Sequence, residues 1–219
     1  MDMRAPTTAI NRQRRQQLQR WAALVAAAAV PPLLAPGQAR AQRGDSAQRL
    51  LVAYFSRTGH TRQVALAVAE AVGAELFEIV PATPYPAAYQ DTVDLNSRQR
   101  AAGEFPPVQR LIPDLARYDT VFLGYPIWAV DLPRLLYPFL RQQDFGGKTL
   151  APFCTYAMSG LSGTERTLRE LCPRSRVLPG LAVQGGGRGH NTLVTSIEPD
   201  ARGRAQAWGR QSLVDAATR

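Results

Sequence analysis

The sequence predicts an α/β fold: five strands in a parallel sheet, with helices on both faces to make three layers. Three observations lead there. Five apolar runs of strand length lie between residues 50 and 183, helical patterns separate them, and no internal repeat divides the chain.

Leu50 to Phe55 is continuously apolar, the pattern of a strand buried on both faces. His60 to Val72 reads as a helix, with Val64, Leu66, Ala67, Val68, Ala71 and Val72 at helical spacing and Gly73 to stop it. Glu75 to Val80 makes a second strand. Pro86 to Ala102 is helical but polar, with Tyr89, Val93 and Leu95 expected to face inward, and the proline-rich stretch from Gly103 to Pro113 is a surface connection. Asp119 to Gly124 is the third strand, and a helix follows over Leu132 to Gln142, starting near Pro133. Lys148 to Cys154 is the fourth strand. Gly163 to Leu171 is a helix that Pro173 ends. Val177 to Val183 is the fifth strand, interrupted by Pro179 and Gly180 and therefore expected at an edge or with a bulge. Ala201 to Val214 closes the domain as a helix burying Trp208 and Leu213. In such sheets ligands sit beyond the carboxyl ends of the strands, where the strand order reverses, so chemistry belongs in the loops after strands one, three and four.

The amino terminus has the pattern of an export signal. Arg4, Arg12, Arg14, Arg15 and Arg20 stand against one acid, Asp2. An uncharged alanine- and leucine-rich run follows from Trp21 to Leu34, then a small-x-small ending at Ala39-Arg40-Ala41. Fourteen helical residues would span only about 20 Å, less than a bilayer core, and Pro31-Pro32 weakens a spanning helix further. An uncleaved anchor or a tail is the alternative to cleavage after Ala41. The pair Arg14-Arg15 resembles the twin-arginine signal that exports folded proteins, with Gln17 where that signal usually has a bulky apolar residue. The organisation read from the sequence is thus a signal peptide over 1–41, a linker over 42–49 and a folded domain over 50–214, exported and periplasmic.

Composition excludes several function classes. The chain of 219 residues carries 26 basic and 17 acidic side chains, a formal charge of +9. The signal segment holds six of the arginines and one acid, so the remainder has 20 basic and 16 acidic residues, or +4. No basic cluster interleaved with aromatics remains there, and no nucleic-acid partner is expected. Lys148 is the only lysine, so a phosphate loop ending in Gly-Lys-Ser/Thr is impossible. His60, His190, Cys154 and Cys172 lack the paired spacing of a zinc site. The two cysteines are expected to pack as small hydrophobes, although export leaves a disulfide conceivable. Gly185-Gly186-Gly187-Arg188-Gly189-His190 opens no clear helix and reads as a flexible connector rather than a second nucleotide site.

The loop after strand one carries the chemistry. Ser56-Arg57-Thr58-Gly59-His60-Thr61 lies between a buried strand and a helix, with three hydroxyls and one glycine for the turn. Backbone amides and the helix amino terminus can hold a phosphate dianion there without a lysine. Arg57 and His60 occupy positions where amides matter more than side chains. Capping of the next helix is the plainer role for such hydroxyls.

This Ser-x-Thr-Gly-x-Thr pattern resembles the FMN-phosphate loop of flavodoxins, and the resemblance extends over residues 50–183. Gly124-Tyr125-Pro126-Ile127-Trp128 resembles the family's second flavin loop, and Thr155-Tyr156-Ala157-Met158-Ser159-Gly160-Leu161-Ser162-Gly163 its third. Pro84-Tyr85-Pro86 and Asp144-Phe145-Gly146-Gly147-Lys148 match stretches of a short flavodoxin-like FMN-binding subfamily. The resemblance implies a flavodoxin-like three-layer sandwich and FMN as cofactor. Ser56, Arg57, Thr58, Gly59, His60 and Thr61 would lie at the phosphate, and Pro126, Ile127, Trp128, Thr155, Tyr156, Ala157, Ser159 and Gly160 at the ring. Trp128 is either core or a stacking partner for the flavin, and Tyr85 and Tyr89 are expected to pack beneath the long loop.

Two departures stand out. Ala129 and Val130 replace a second aromatic and a glycine, and Ala157 and Met158 replace paired glycines that let backbone approach the ring. The implied function is an exported FMN-binding electron-transfer protein with a protein redox partner. The alternatives are an FMN-dependent reductase using NAD(P)H on a quinone or similar small molecule, and a module that has lost FMN. No acid–base pair or nucleophile stands out, and the mature form is expected to have no stable membrane span.

Overall fold

The computed structural model describes residues 48–185 and 197–218. The expected signal segment with Arg14-Arg15, most of the expected linker, and Gly186 to His190 of the glycine-rich run lie outside them.

The strands are β1 (Leu50–Tyr54), β2 (Glu75–Glu78), β3 (Thr120–Pro126), β4 (Thr149–Tyr156), β5 (Arg176–Val177) and β6 (Leu181–Gln184). The helices are α1 (His60–Val72), α2 (Tyr89–Ala101), α3 (Leu136–Arg141), α4 (Thr164–Leu171) and α5 (Ala201–Ala217). All strand pairs are parallel in the order β2-β1-β3-β4, with β5 and β6 both along the outer edge of β4. This is the α/β sandwich expected from the sequence, with one strand more.

The extra strand is the expected fifth one split in two. Leu150 pairs with Val177 and Phe153 with Leu181, so three residues on the outer strand oppose two on β4. The even-numbered residues of β4 face this edge, as the bond from Leu178 N–H to the Leu150 carbonyl shows (2.9 Å). Pro152 therefore has no N–H to offer there, and the bulge falls where the ladder already lacked a donor. The Gly180 amide is satisfied instead by Glu165 Oε1 at 2.6 Å.

Alternate residues of each strand feed two cores. Leu51, Ala53, Val121, Leu123, Tyr125, Leu150 and Cys154 pack with α3 and α4 through Leu136, Phe139, Leu140 and Leu168. Val52, Tyr54, Phe122, Ala151 and Phe153 point the other way, toward α1 and α5. Gly124 lies in that second row because no side chain fits: a Cβ there would sit 2.2 Å from the Phe153 ring. On this face α5 turns Ala201, Ala205, Gly209, Ser212 and Ala216 inward, and a Cβ on Gly209 would come within 3.3 Å of Val72. Small side chains thus let the two helices approach closely. Trp208 and Leu213, expected to be buried, are only half-buried, with the Trp208 ring edge-on to Phe122 at 5.7 Å.

Other boundaries differ for local reasons. Strand β3 runs on to Pro126 and β4 to Tyr156 because the ladder continues through Tyr125 with Cys154 and Pro126 with Thr155. Helix α3 begins later than expected, since a tight turn from Pro133 to Leu136 precedes it (2.9 Å). Helix α2 buries Thr92, Asn96 and Gln99 rather than Tyr89, Val93 and Leu95. The Thr92 hydroxyl donates to the Pro86 carbonyl at 2.9 Å and approaches the Ala88 carbonyl at 3.1 Å, which fixes that stripe inward. Both cysteines are buried free thiols packed in the first core, and burial pushes Cys154 up to about 12 and Cys172 up to about 11. Lys148 is buried at the opposite end of the sheet from the site loops, its Nζ donating to the Tyr118 carbonyl at 2.7 Å.

Candidate functional site

The carboxyl ends of β1, β3, β4 and β6 point to one edge of the sheet, and the strand order reverses between β1 and β3. Thr155, the penultimate residue of β4, joins three loops there. Its hydroxyl bonds that of Thr61 at the start of α1 (2.8 Å), both groups being buried. Its carbonyl accepts the Ile127 amide from the loop after β3 (2.8 Å). Its own chain runs directly into the loop after β4.

The loop after β1 folds as a tight turn into the amino terminus of α1. Gly59 has a φ of 93°, in the left-handed region, and a Cβ there would meet nothing within 4 Å, so glycine is needed for conformation and not for space. The Gly59 amide donates to Ser56 Oγ at 3.1 Å, closing the turn. The amides of the first helical turn have no intrahelical acceptor and carry the positive end of the α1 dipole. The Thr58 hydroxyl is exposed beside them, 3.3 Å from His60 Nδ1. His60 Nε2 is buried without a hydrogen-bond partner among the described residues. The Arg57 guanidinium turns away and donates to the carbonyls of Pro86 (3.3 Å) and Ala87 (3.1 Å), and burial lowers its pKa. Arg57 thus ties the loop after β2 to this edge, contributing through its backbone.

The loop after β3 is a two-residue hairpin. Trp128 and Asp131 exchange both backbone bonds, at 3.0 and 3.1 Å, and between them Ala129 and Val130 have φ values of 48° and 64°. Two consecutive left-handed residues define a type I′ turn, ordinarily Asn-Gly; a β-branched valine there stores strain. Val130 is also 64% exposed. Trp128 is half-buried, its ring edge-on to Tyr85 (4.8 Å) and Phe55 (5.5 Å). The Tyr85 hydroxyl is buried with no partner among the described residues, and burial pushes it up to about 12. Tyr85 packs on Trp128 as expected, whereas Tyr89 is exposed. Asp131, which the sequence did not single out, holds the turn: it accepts the Leu132 amide (2.8 Å) and the Tyr137 hydroxyl (2.9 Å), with Arg100 at 3.5 Å. Burial and then Asp131 push Tyr137 up to about 12.

The loop after β4 carries no such strain at its departures. Ala157 and Met158 do not adopt positive φ, so the backbone there does not require glycine. Ala157, Met158 and Ser159 are exposed, Met158 by 87%. Gly160 (φ 57°) and Ser162 (φ 53°) make the tight part of the loop, and Ser162 Oγ donates to the Ser159 carbonyl at 2.9 Å. Gln184 of β6 donates to the Ala157 carbonyl at 3.2 Å. All the residues assigned from the sequence to the three loops therefore meet at one edge; Pro126, Thr155 and Tyr156 are strand ends, not loop residues. Among the described residues no helix is long and apolar enough to cross a membrane.

The flavodoxin family profile matches residues 49–196. A candidate flavoprotein of Bacteroides uniformis ATCC 8492 is similar at 34% identity and a TM-score of 0.61, over 74% of this chain and 98% of that one. One from Bacteroides eggerthii DSM 20697 is similar at 28% identity and a TM-score of 0.60, over 78% and 99%. A flavoprotein of Lactobacillus acidophilus NCFM, solved in complex with FMN, shares the fold at 23% identity and a TM-score of 0.55, over 63% and 93%. No curated protein matches the sequence.

Proposed function

The chain belongs to the flavodoxin family, and on that premise we propose that it binds FMN at these three loops and transfers electrons in an exported, periplasmic form. The observation that carries the reading is the Ser56–Thr61 turn, where an open left-handed glycine, the exposed Thr58 hydroxyl and spare helix amides converge at the reversal of strand order. The residues present fit such a ligand. The donor set suits a phosphate dianion, and two buried polar atoms close to the loops, His60 Nε2 and Tyr85 Oη, lack protein partners among the described residues.

Bound FMN supplies the redox chemistry. In this reading Ser56, Thr58, Gly59, His60 and Thr61 hold the phosphate, with Arg57 contributing its amide. Pro126, Ile127, Trp128, Thr155, Tyr156, Ala157, Ser159 and Gly160 border the ring. Trp128, braced by Tyr85 and Phe55, forms an apolar wall that keeps water from one side. Thr155 keeps the two halves of the site in register through Thr61 and Ile127. The exposed Val130 and Met158 stand where the flavodoxin resemblance implies glycine, and favour a ring edge contacted by side chains rather than backbone.

The test is an FMN titration of residues 42–219 followed by visible absorbance. Flavin bands with a red-shifted, structured spectrum are expected; absence of binding would point to a module that has lost its cofactor. Anaerobic bleaching by NADPH alone would instead favour a reductase acting on a quinone or similar small molecule. For the signal segment, Arg14→Lys with Arg15→Lys should block export, and unchanged export would count against the twin-arginine route.

A further inference from the structure

Helix α3, the turn that precedes it and the connection before β3 carry a cluster that the flavin site does not use. The Arg134 guanidinium lies 3.9 Å above the Phe105 ring and that of Arg141 lies 5.5 Å from the same ring. Both are 5.8 Å from Tyr137, whose ring packs against Phe105 at 5.0 Å. Arg134 Nε donates to the Glu104 carbonyl at 2.6 Å, which fixes its orientation and leaves its outer N–H groups without a partner among the described residues. Neither arginine has a carboxylate within ion-pair distance among the described residues, whereas Arg100, Arg117, Arg174, Arg202 and Arg204 each do. Phe105 is 38% exposed.

Stacking holds both cations in place without neutralising them, so little side-chain entropy remains to be lost on contact. An exposed aromatic flanked by arginines has the composition of a protein-binding hot spot. It lacks the amide-lined turn that nucleotide phosphates favour. The patch is continuous with the site, because the Tyr137 hydroxyl holds Asp131 of the Trp128 hairpin. We propose that Arg134, Arg141 and Phe105 form the docking surface for an acidic redox-partner protein, which approaches the flavin loops from the α3 side. This rests on the electron-transfer reading.

The experiment uses two protein probes, an acidic [2Fe–2S] ferredoxin and a basic cytochrome c, with the immobilised full chain, with and without FMN. Ferredoxin is expected to bind at about 10 mM salt and weaken markedly by about 150 mM, while cytochrome c does not bind. Arg134→Gln with Arg141→Gln should weaken ferredoxin binding about ten-fold or more at low salt. Arg169→Gln with Arg210→Gln, exposed positions on α4 and α5, removes the same charge elsewhere and should change it less than about two-fold. Equal losses in the two double variants, no loss in the first, or a preference for cytochrome c would overturn the proposal. A raised KM for NADPH with ferredoxin binding intact would assign the patch to nucleotide phosphate and also overturn it. Ferredoxin binding that persists while FMN fails to bind would support the docking surface and count against the flavin reading alone.

Discussion

The turns after β1 and β3 lie side by side on neighbouring strands, yet they reach left-handed backbone by opposite means. At Gly59 the chain uses the one residue that adopts it freely. At Ala129 and Val130 it forces two side-chain-bearing residues into the same region, one of them β-branched. The first turn presents backbone amides, so any side chain or shift there would disturb the donors themselves. The second presents the Trp128 ring, and its backbone only has to reverse direction; Asp131, Tyr137 and Arg100 hold it against the strain. If the proposed FMN site holds, a turn whose backbone binds the ligand keeps its glycine, while a turn that serves as a bracket can carry strain if its far end is anchored.

The sharpest way to break this contrast is Gly59→Val. It should cost about 2–3 kcal/mol in stability and lower FMN affinity by about ten-fold or more, read by urea unfolding and flavin fluorescence titration. Next in size, Thr61→Val leaves the Thr155 hydroxyl buried and unpaired, an expected loss of about 2 kcal/mol. The double variant with Thr155→Val should lose less than the sum of the singles, and strict additivity would mean that the two hydroxyls do not couple. The smallest effect has the opposite sign. Ala129→Asn with Val130→Gly supplies the residues a type I′ turn prefers and should raise stability by about 1 kcal/mol, visible as a higher urea midpoint at unchanged slope. Destabilisation by that pair would show that the turn is relaxed as it stands.

The same two turns show what could be read from the chain alone. The Ser56–Thr61 turn was legible because its signal is local: hydroxyls and a glycine between an apolar run and a helix. The placing of Trp128 past a strand end was legible for the same reason. The hairpin geometry was not, since Ala-Val has no turn preference and the conformation is held by Tyr137, six residues beyond Asp131. Strand β6 was legible as the second half of an interrupted edge strand, but its separation from β5 depends on Pro152 of the neighbouring strand. The inward stripe of α2 likewise follows from the Thr92 bond to Pro86, not from hydrophobic period. Interior strands were recognisable throughout; what required coordinates was each case in which one segment's conformation is decided by another.

The close contact of α5 with α1 also bears on the order in which the molecule assembles. Arg202 reaches Glu70 across 132 positions, and the Ala201–Ala216 stripe covers the side of the sheet that α1 alone leaves partly bare. During synthesis β1 and α1 emerge first and must wait for more than a hundred residues before their final neighbour appears. Until then Phe122, Phe153 and Val68 lack their cover, and an interrupted chain would present that oily surface to whatever chaperone or protease is nearby.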